Sequence, residues 1–317
     1  MTSSRLLLAL IVVAAPPLAA QHRAPVHRRA PVKKRPPVNM LAAALPAMTR
    51  WAASIPGVVG AAAMIVETGD FVGVKADARF PMQSVYKFPI AWAVLARIDA
   101  DKLRLSQPVH LARSDMVPGV HSPIRDQNPA GVTLTVRELL RAAIVESDGT
   151  ASDVLATLVP LPEVNKMVHG LGVDSMMIVA TERAMAADDK VQYRNWTTPR
   201  AAVQLLRAFQ VSRAISAPSQ VLLDSWLMES TNGDHRIKGM LPEGTAVAHK
   251  TGTSATRGGV TAATNDIGIV TLPSGRHLAV AVFIRDSKAS ESDRERTIAR
   301  VTRMAWDAAV RQSRKSR

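Results

Sequence analysis

The 317-residue chain has no cysteine. That excludes disulfides and a lipid-bearing N-terminal cysteine, and it removes the thiolates of most structural zinc sites. No Cys/His cluster or His-x-His pattern takes their place, which agrees with an expectation of no metal and no cofactor. A chain of this length can bury enough apolar surface to fold without covalent cross-links. Acidic residues are missing from both ends: residues 1–40 hold seven Lys/Arg and no Asp or Glu, and residues 311–317 hold four and none. The formal charge is +14, and setting those 11 cations aside leaves +3 on the body. Charge confined to the ends gives little support to a nucleic-acid groove, and no nucleic-acid partner is expected. Hydrophobic residues at 47% against 21% charged ones describe a globular chain.

What is present begins with an export pattern. Arg5 precedes the apolar run Leu6 to Val13, and Leu18-Ala19-Ala20 follows, which predicts a signal peptide over 1–20 and a secreted protein. The run is too short for a membrane span. Residues 21–38 carry Arg-Ala-Pro-Val at 23–26 and again at 29–32, then Lys33-Lys34-Arg35-Pro36-Pro37. This basic, Pro-rich tract predicts an extended linker, a solvated spacer with at most weak contact to an anionic envelope.

From Asn39 to Gln312 the pattern is globular, with a basic tail over 313–317. Residues 39–53 read as helix interrupted at Pro46. Strands are expected at Val58–Val66, Phe71–Val74, Ala246–Lys250, Asp266–Leu272 and His277–Arg285, and a closing helix at Ser292–Gln312. Helical patterns fill most of the middle. Strands at both ends of a helical middle imply a mixed α/β fold: an α/β sandwich domain from 39–83 and 226–312, and an inserted all-α domain over 84–225. A site in the cleft between them is the natural expectation.

One stretch carries candidate chemistry, Met82-Gln83-Ser84-Val85-Tyr86-Lys87. Ile90, Val94, Leu95 and Ile98 recur at helical spacing after it, which puts Ser84 and Lys87 one turn apart on one face. A serine hydroxyl becomes a useful nucleophile when a nearby amine takes its proton, and free N–H groups at a helix start favour developing negative charge. Taken alone, the same pattern also describes a capping serine with a surface lysine. Three further elements stand downstream: Glu146-Ser147-Asp148-Gly149 after an amphipathic helix, Thr181-Glu182-Arg183 opening a segment without clear periodicity, and His249-Lys250-Thr251-Gly252-Thr253-Ser254 ending a strand.

Ser-x-x-Lys, Ser-Asp-x and Lys-Thr-Gly in this order resemble the class A serine β-lactamases of the penicillin-binding/β-lactamase superfamily. Phe80-Pro81-Met82-Gln83, Thr198-Pro199 and Asn265-Asp266-Ile267-Gly268 strengthen the resemblance, which runs from about Asn39 to about Gln312. It implies that Ser84 attacks a lactam carbonyl, that Lys87 helps remove its proton, and that Glu182 activates the water that hydrolyses the acyl-enzyme. It further implies an oxyanion hole from the N–H groups of Ser84 and Thr253, proton relay by Ser147, and substrate contacts from Lys250, Thr251, Gly252 and Thr253. Arg236 matches a carboxylate-binding arginine of some members, and His121 a cleft-edge aromatic position. The implied partner is a small β-lactam bound by a monomer.

Three positions depart from the family pattern. Gly149 stands in place of asparagine, Ala186 in place of an asparagine that holds water, and Asn195 in place of an acid that pins the loop. Two other functions fit the sequence: a D,D-peptidase that acylates with penicillin and deacylates slowly, and a non-catalytic envelope-binding protein held by its basic ends.

Overall fold

The structure is a computed structural model that describes residues 39–315, Thr231 excepted. The expected signal peptide and linker lie outside the described residues. Asn39 accepts the Ala42 N–H at 3.2 Å and caps a 3₁₀ turn, Met40–Ala44, that continues into α1 (Leu45–Ala52). Pro46 falls in the first turn of α1, where a missing N–H costs nothing, so the helix starts there instead of being interrupted.

β1 (Val58–Ile65) and β2 (Phe71–Val74) form a hairpin, and β3 (Phe80–Pro81) leads through the 3₁₀ turn Gln83–Tyr86 into α2 (Lys87–Asp99). The middle of the chain holds β4 (Pro108–Ala112), α3 (Pro123–Gln127), β5 (Gly131–Thr135), α4 (Val136–Arg141), α5 (Gly149–Leu158) and α6 (Leu161–Gly170). It continues through β6 (Met176–Met177), α7 (Glu182–Ala187), β7 (Trp196–Thr197), α8 (Pro199–Val211) and α9 (Ala217–Glu229). The C-terminal part is β8 (Val247–Thr253), β9 (Thr256–Arg257), β10 (Val260–Thr271), β11 (His277–Ser287) and α10 (Glu291–Lys315). α10 therefore runs three residues into the expected tail.

The main sheet is antiparallel in the order β2-β1-β11-β10-β8, with β9 paired to β10. Both of its faces are covered, which is why β1 reads as an unbroken apolar run rather than an alternating one. Ala62 and Met64 of β1 join the core that contains α2 and α8, while Val59, Ala61, Ala63 and Ile65 join the core under α1 and α10. Gly60 is bare because Phe80 and Pro199 occupy the space a Cβ needs, with the Phe80 ring 2.3 Å from that position.

α2 is buried from Lys87 through Leu95, well beyond the stripe its periodicity predicted. Phe88 and Trp92 meet the ring of Phe209 edge-on at 5.2 and 5.4 Å, joining α2 to α8. The middle of the chain is helical but not purely so. β4 and β5 form a two-stranded ribbon, and β6 and β7 continue a small sheet from β3. β-branched Val132, Thr133 and Thr135 favour the extended backbone there. Among the described residues no helix is long and apolar enough to cross a membrane.

Candidate active site

The turn that presents Ser84 is held by two residues, Asn265 and Asn195. Asn265 of β10 donates through Nδ2 to Pro81 O at 2.8 Å and to Met82 O at 3.1 Å, and the Met82 N–H donates to Asn195 O at 2.9 Å. Gln83 is forced to a φ of +47°, a strained value for a residue with a Cβ. Ser84 lies in the 3₁₀ turn and Lys87 follows it as the first residue of α2, its N–H donating back to Ser84 O, and the three-residue period of that turn brings positions i and i+3 over one another. Lys87 is 2% exposed. Its Nζ donates to Ser147 O at 2.6 Å and pairs with Glu182 Oε1 at 2.9 Å.

Ser147 follows a π-helical turn, Ala142–Glu146, and has a left-handed φ of +59°. That turn delivers its hydroxyl to Lys250, whose Nζ donates to Ser147 Oγ at 2.9 Å. Asp148 caps α5, accepting the Ala151 N–H at 2.8 Å, and also takes the Ile124 N–H at 2.8 Å and the Ser122 hydroxyl. The capping role thus belongs to Asp148, and Ser147 faces the cleft. His121 is exposed at the cleft edge, with Nε2 3.0 Å from Glu146 O. Gly149 donates its N–H to His121 O at 2.9 Å, and a Cβ there would lie 2.8 Å from Val120 Cγ2 and 3.2 Å from His121 O. Where the family pattern has asparagine, this residue carries no side chain, and Val120 and the His121 carbonyl pack close against it.

Glu182 opens α7, capped by Thr181, which accepts the Ala184 N–H at 3.3 Å. The Glu182 and Arg183 N–H groups are taken by Asp153 of α5 at 2.7 and 2.9 Å. Burial pushes the Asp153 carboxyl up to about 6, against the pull of those two N–H donors. Asn195 holds the approach to this loop. Its Oδ1 accepts Val179 N–H at 2.8 Å and Ala180 N–H at 2.9 Å, and its Nδ2 donates to Ala180 O at 2.8 Å. A neutral amide that both donates and accepts does here the pinning expected of an acid. Asn165 grips Ile178 in the same way, at 2.6 and 2.9 Å.

Sequence reasoning missed Asp153 and Asn165. The available signal for Asp153 was its place four residues after Gly149, on the α5 face that meets Glu182.

Lys250 is 1% exposed. Burial, and then the charge of Lys87, push its amine down to about 7, opposed by Asp266 and Glu182. Its neighbour His249 is buried with Nδ1 3.0 Å from the Asp266 carboxylate, which also accepts the Ile237 N–H at 3.1 Å. Gly252 permits the closest approach in the site. A Cβ there would sit 2.5 Å from Met82 O and 3.2 Å from Ser84 N, so only glycine lets β8 lie against the Ser84 turn.

Arg236 is 4% exposed and already engaged. Nε meets Glu295 Oε1 at 3.1 Å, Nη1 donates to Asn265 O at 3.0 Å, and Nη2 donates to Thr253 Oγ1 at 2.9 Å.

Ser84, Lys87, His121, Ser147, Glu182, Arg236, Thr251, Gly252 and Thr253 line one cavity of about 830 Å³, together with Ala186. Lys250 and Gly149 stand behind its wall and reach it through Ser147 and His121. A more open groove of about 640 Å³ beside Leu161, His169 and Val179 contains none of these residues.

Residues 42–309 match the β-lactamase enzyme family. The chain is 42% identical over 230 residues to the extended-spectrum β-lactamase PER-1 of Pseudomonas aeruginosa, covering 72% of this chain and 75% of that one. It is 36% identical over 252 residues to β-lactamase VEB-1 of the same organism, covering 78% and 84%. A solved β-lactamase from Chitinophaga pinensis is similar at a TM-score of 0.81 and 46% identity, over 83% of this chain and 98% of that one. An ancestral class A β-lactamase matches at a TM-score of 0.74 and 30% identity, over 84% and 99%. With its motifs gathered in one cleft of the same fold, the chain belongs to the β-lactamase enzyme family, as a class A serine enzyme.

Proposed function

We propose that this enzyme hydrolyses β-lactams through an ester on Ser84 that is cleaved by water activated at Glu182. The observation that carries the reading is the position of Lys87 Nζ, one 3₁₀ turn from Ser84 and within 2.9 Å of Glu182 Oε1. Ser84 Oγ attacks the lactam carbonyl as its proton passes to Lys87, or to Glu182 through water. Negative charge on the carbonyl oxygen is met by the N–H groups of Ser84 and Thr253. The C–N bond breaks as Ser147 supplies a proton to nitrogen, its hydroxyl oriented by Lys250. Glu182 then takes a proton from water, hydroxide adds to the ester carbon, and Ser84 leaves with its proton restored.

Lys250 and Thr251 supply charge and a hydroxyl for the substrate carboxylate. Arg236 contributes through Thr253: because the guanidinium donates to Thr253 Oγ1, the threonine hydrogen is left to point at the carboxylate.

The likeness to PER-1 supports an extended-spectrum substrate range. Export to the periplasm and action as a monomer belong to the same proposal, the former supported by the N-terminal sequence pattern.

Mass spectrometry after brief exposure to benzylpenicillin tests it. Glu182→Gln is expected to trap an adduct on Ser84, Ser84→Ala to form none, and the wild type to show one only transiently. A persistent wild-type adduct would instead indicate a slow-deacylating peptidase, and no adduct in any form a binding protein.

A further inference from the structure

Two walls of the cleft touch at its mouth. The segment between α7 and β7 carries Asp189, and the hairpin of β9 and β10 carries Arg257; their side chains form an ion pair and both residues line the cavity. The rest of the segment is held more firmly. Buried Gln192 donates to Asp189 O at 2.7 Å and accepts from Gln83 Nε2 at 2.5 Å, and Tyr193 donates to Asp286 Oδ1 at 2.5 Å. The Asp189–Arg257 pair is exposed, at 52% and 67% of the side-chain surfaces, whereas Gln192 is buried. The hairpin tip at Gly258 and Gly259 is exposed, with φ values of +54° and +76°, and a Cβ added at either would meet nothing within 4 Å. The pair is thus a weak closure between one tethered wall and a hairpin whose tip is open.

Its place along the cleft gives it a role. The groups suited to a substrate carboxylate, Lys250 and Thr251, lie in the middle of β8. Beyond Thr253 the chain runs away from them into Ala255 and Arg257. A β-lactam held by its carboxylate at the first end directs the acylamino substituent on the opposite side of its ring toward the second. We infer that Asp189 and Arg257 form an openable strap over that end and set which substituents enter. Small groups pass beneath the closed pair, and bulky branched ones require it to part. The inference rests on the proposed hydrolytic function and names the substrate feature that this site selects.

The test compares benzylpenicillin with a cephalosporin bearing a bulky oxyimino side chain. Arg257→Gln and Asp189→Asn are each expected to raise kcat/KM for the cephalosporin about two- to fivefold, mostly through KM, the range an exposed pair allows. Benzylpenicillin should change by less than about twofold. Added salt should raise cephalosporin turnover in the wild type and not in either variant. Exchanging the charges, Asp189→Arg with Arg257→Asp, should restore wild-type discrimination.

Because the chain has no cysteine, Asp189→Cys with Arg257→Cys can be bridged cleanly by a short bis-maleimide. Bridging should cost the cephalosporin about tenfold or more while benzylpenicillin is still hydrolysed. Equal effects on both substrates, no effect on either, or failure of the charge exchange to restore discrimination would overturn the strap. Wild-type enzyme that is never acylated by benzylpenicillin would overturn the hydrolytic reading instead.

Discussion

Asp153 and Glu182 are joined side chain to backbone: Asp153 Oδ1 accepts the Glu182 N–H at 2.7 Å while Oδ2 takes the N–H of Arg183 at 2.9 Å. One carboxylate therefore seats the first turn of α7 and with it the Glu182 side chain. Asp153→Asn leaves one acceptor oxygen for two donors, and a buried N–H without a partner costs about 1–3 kcal/mol. Deacylation is expected to slow about tenfold or more with the acylation rate little changed, which stopped-flow burst kinetics separates.

The raised affinity of Asp153 for its proton gives that effect a pH signature. In the wild type the carboxylate is lost as pH falls through about 6, so deacylation should decline on the acid side of that value. The sign for stability is opposite. The folded chain holds this proton more tightly than the unfolded chain, so between about pH 4 and 6 this group makes stability fall as pH rises. Thermal melts of the wild type and Asp153→Asn across that window should differ in slope accordingly.

Lys250 predicts a second limb. Its amine, pushed down to about 7, loses its charge as pH rises through that value. A bound substrate carboxylate favours the charged form, so kcat/KM should fall from about pH 7 while kcat holds to higher pH. Lys250→Ala should lower kcat/KM at least about tenfold at neutral pH.

Arg236 and Glu295 separate stability from function. Removing the buried guanidinium leaves Glu295 unpaired, and breaking a buried pair costs about 3–5 kcal/mol. Arg236→Ala should therefore lower both Tm and kcat/KM. Adding Glu295→Gln should recover much of the Tm and little of the activity, because Thr253 still lacks its donor. Arg236→Lys should rescue activity only partly, a point charge being unable to reach Glu295, Asn265 and Thr253 together.

Gly149→Ala tests whether the bare backbone at that position is structural. Its Cβ would press on Val120 Cγ2 and His121 O, shifting the cleft edge. Overpacking of this kind costs about 1–3 kcal/mol, and chemical denaturation should show a loss in that range. Unchanged stability would mean that the 120–121 segment yields freely.

The reactive residues were legible because their chemistry demands short spacings. Ser84 and Lys87 must share a turn, and Lys250-Thr251-Gly252 must share a strand edge, so each is a string that can be read. Their supports were not. Asp153 and Asn165 act on backbone atoms of residues 13–30 positions away; helical spacing puts Asp153 on the face of Gly149 but does not name its partner, and Asn195 was marked only through the family resemblance. The end of β8 was hidden for a related reason. Polar Lys250 to Thr253 break the apolar pattern, yet the ladder to β10 continues through Thr253 opposite Thr264. The extent of α2 was understated because a stripe reports one contact face, whereas this helix is enclosed by several elements.

The strand order has a consequence in time. β1, among the first elements made, lies between β2 and β11, with Val58 opposite Arg285 and Ile65 opposite Leu278. Its other edge stays open until nearly the whole polypeptide has been synthesised, and the same wait holds for the core that α1 shares with α10. A nascent or C-terminally cut chain thus exposes an apolar strand edge that only the last strand can cover.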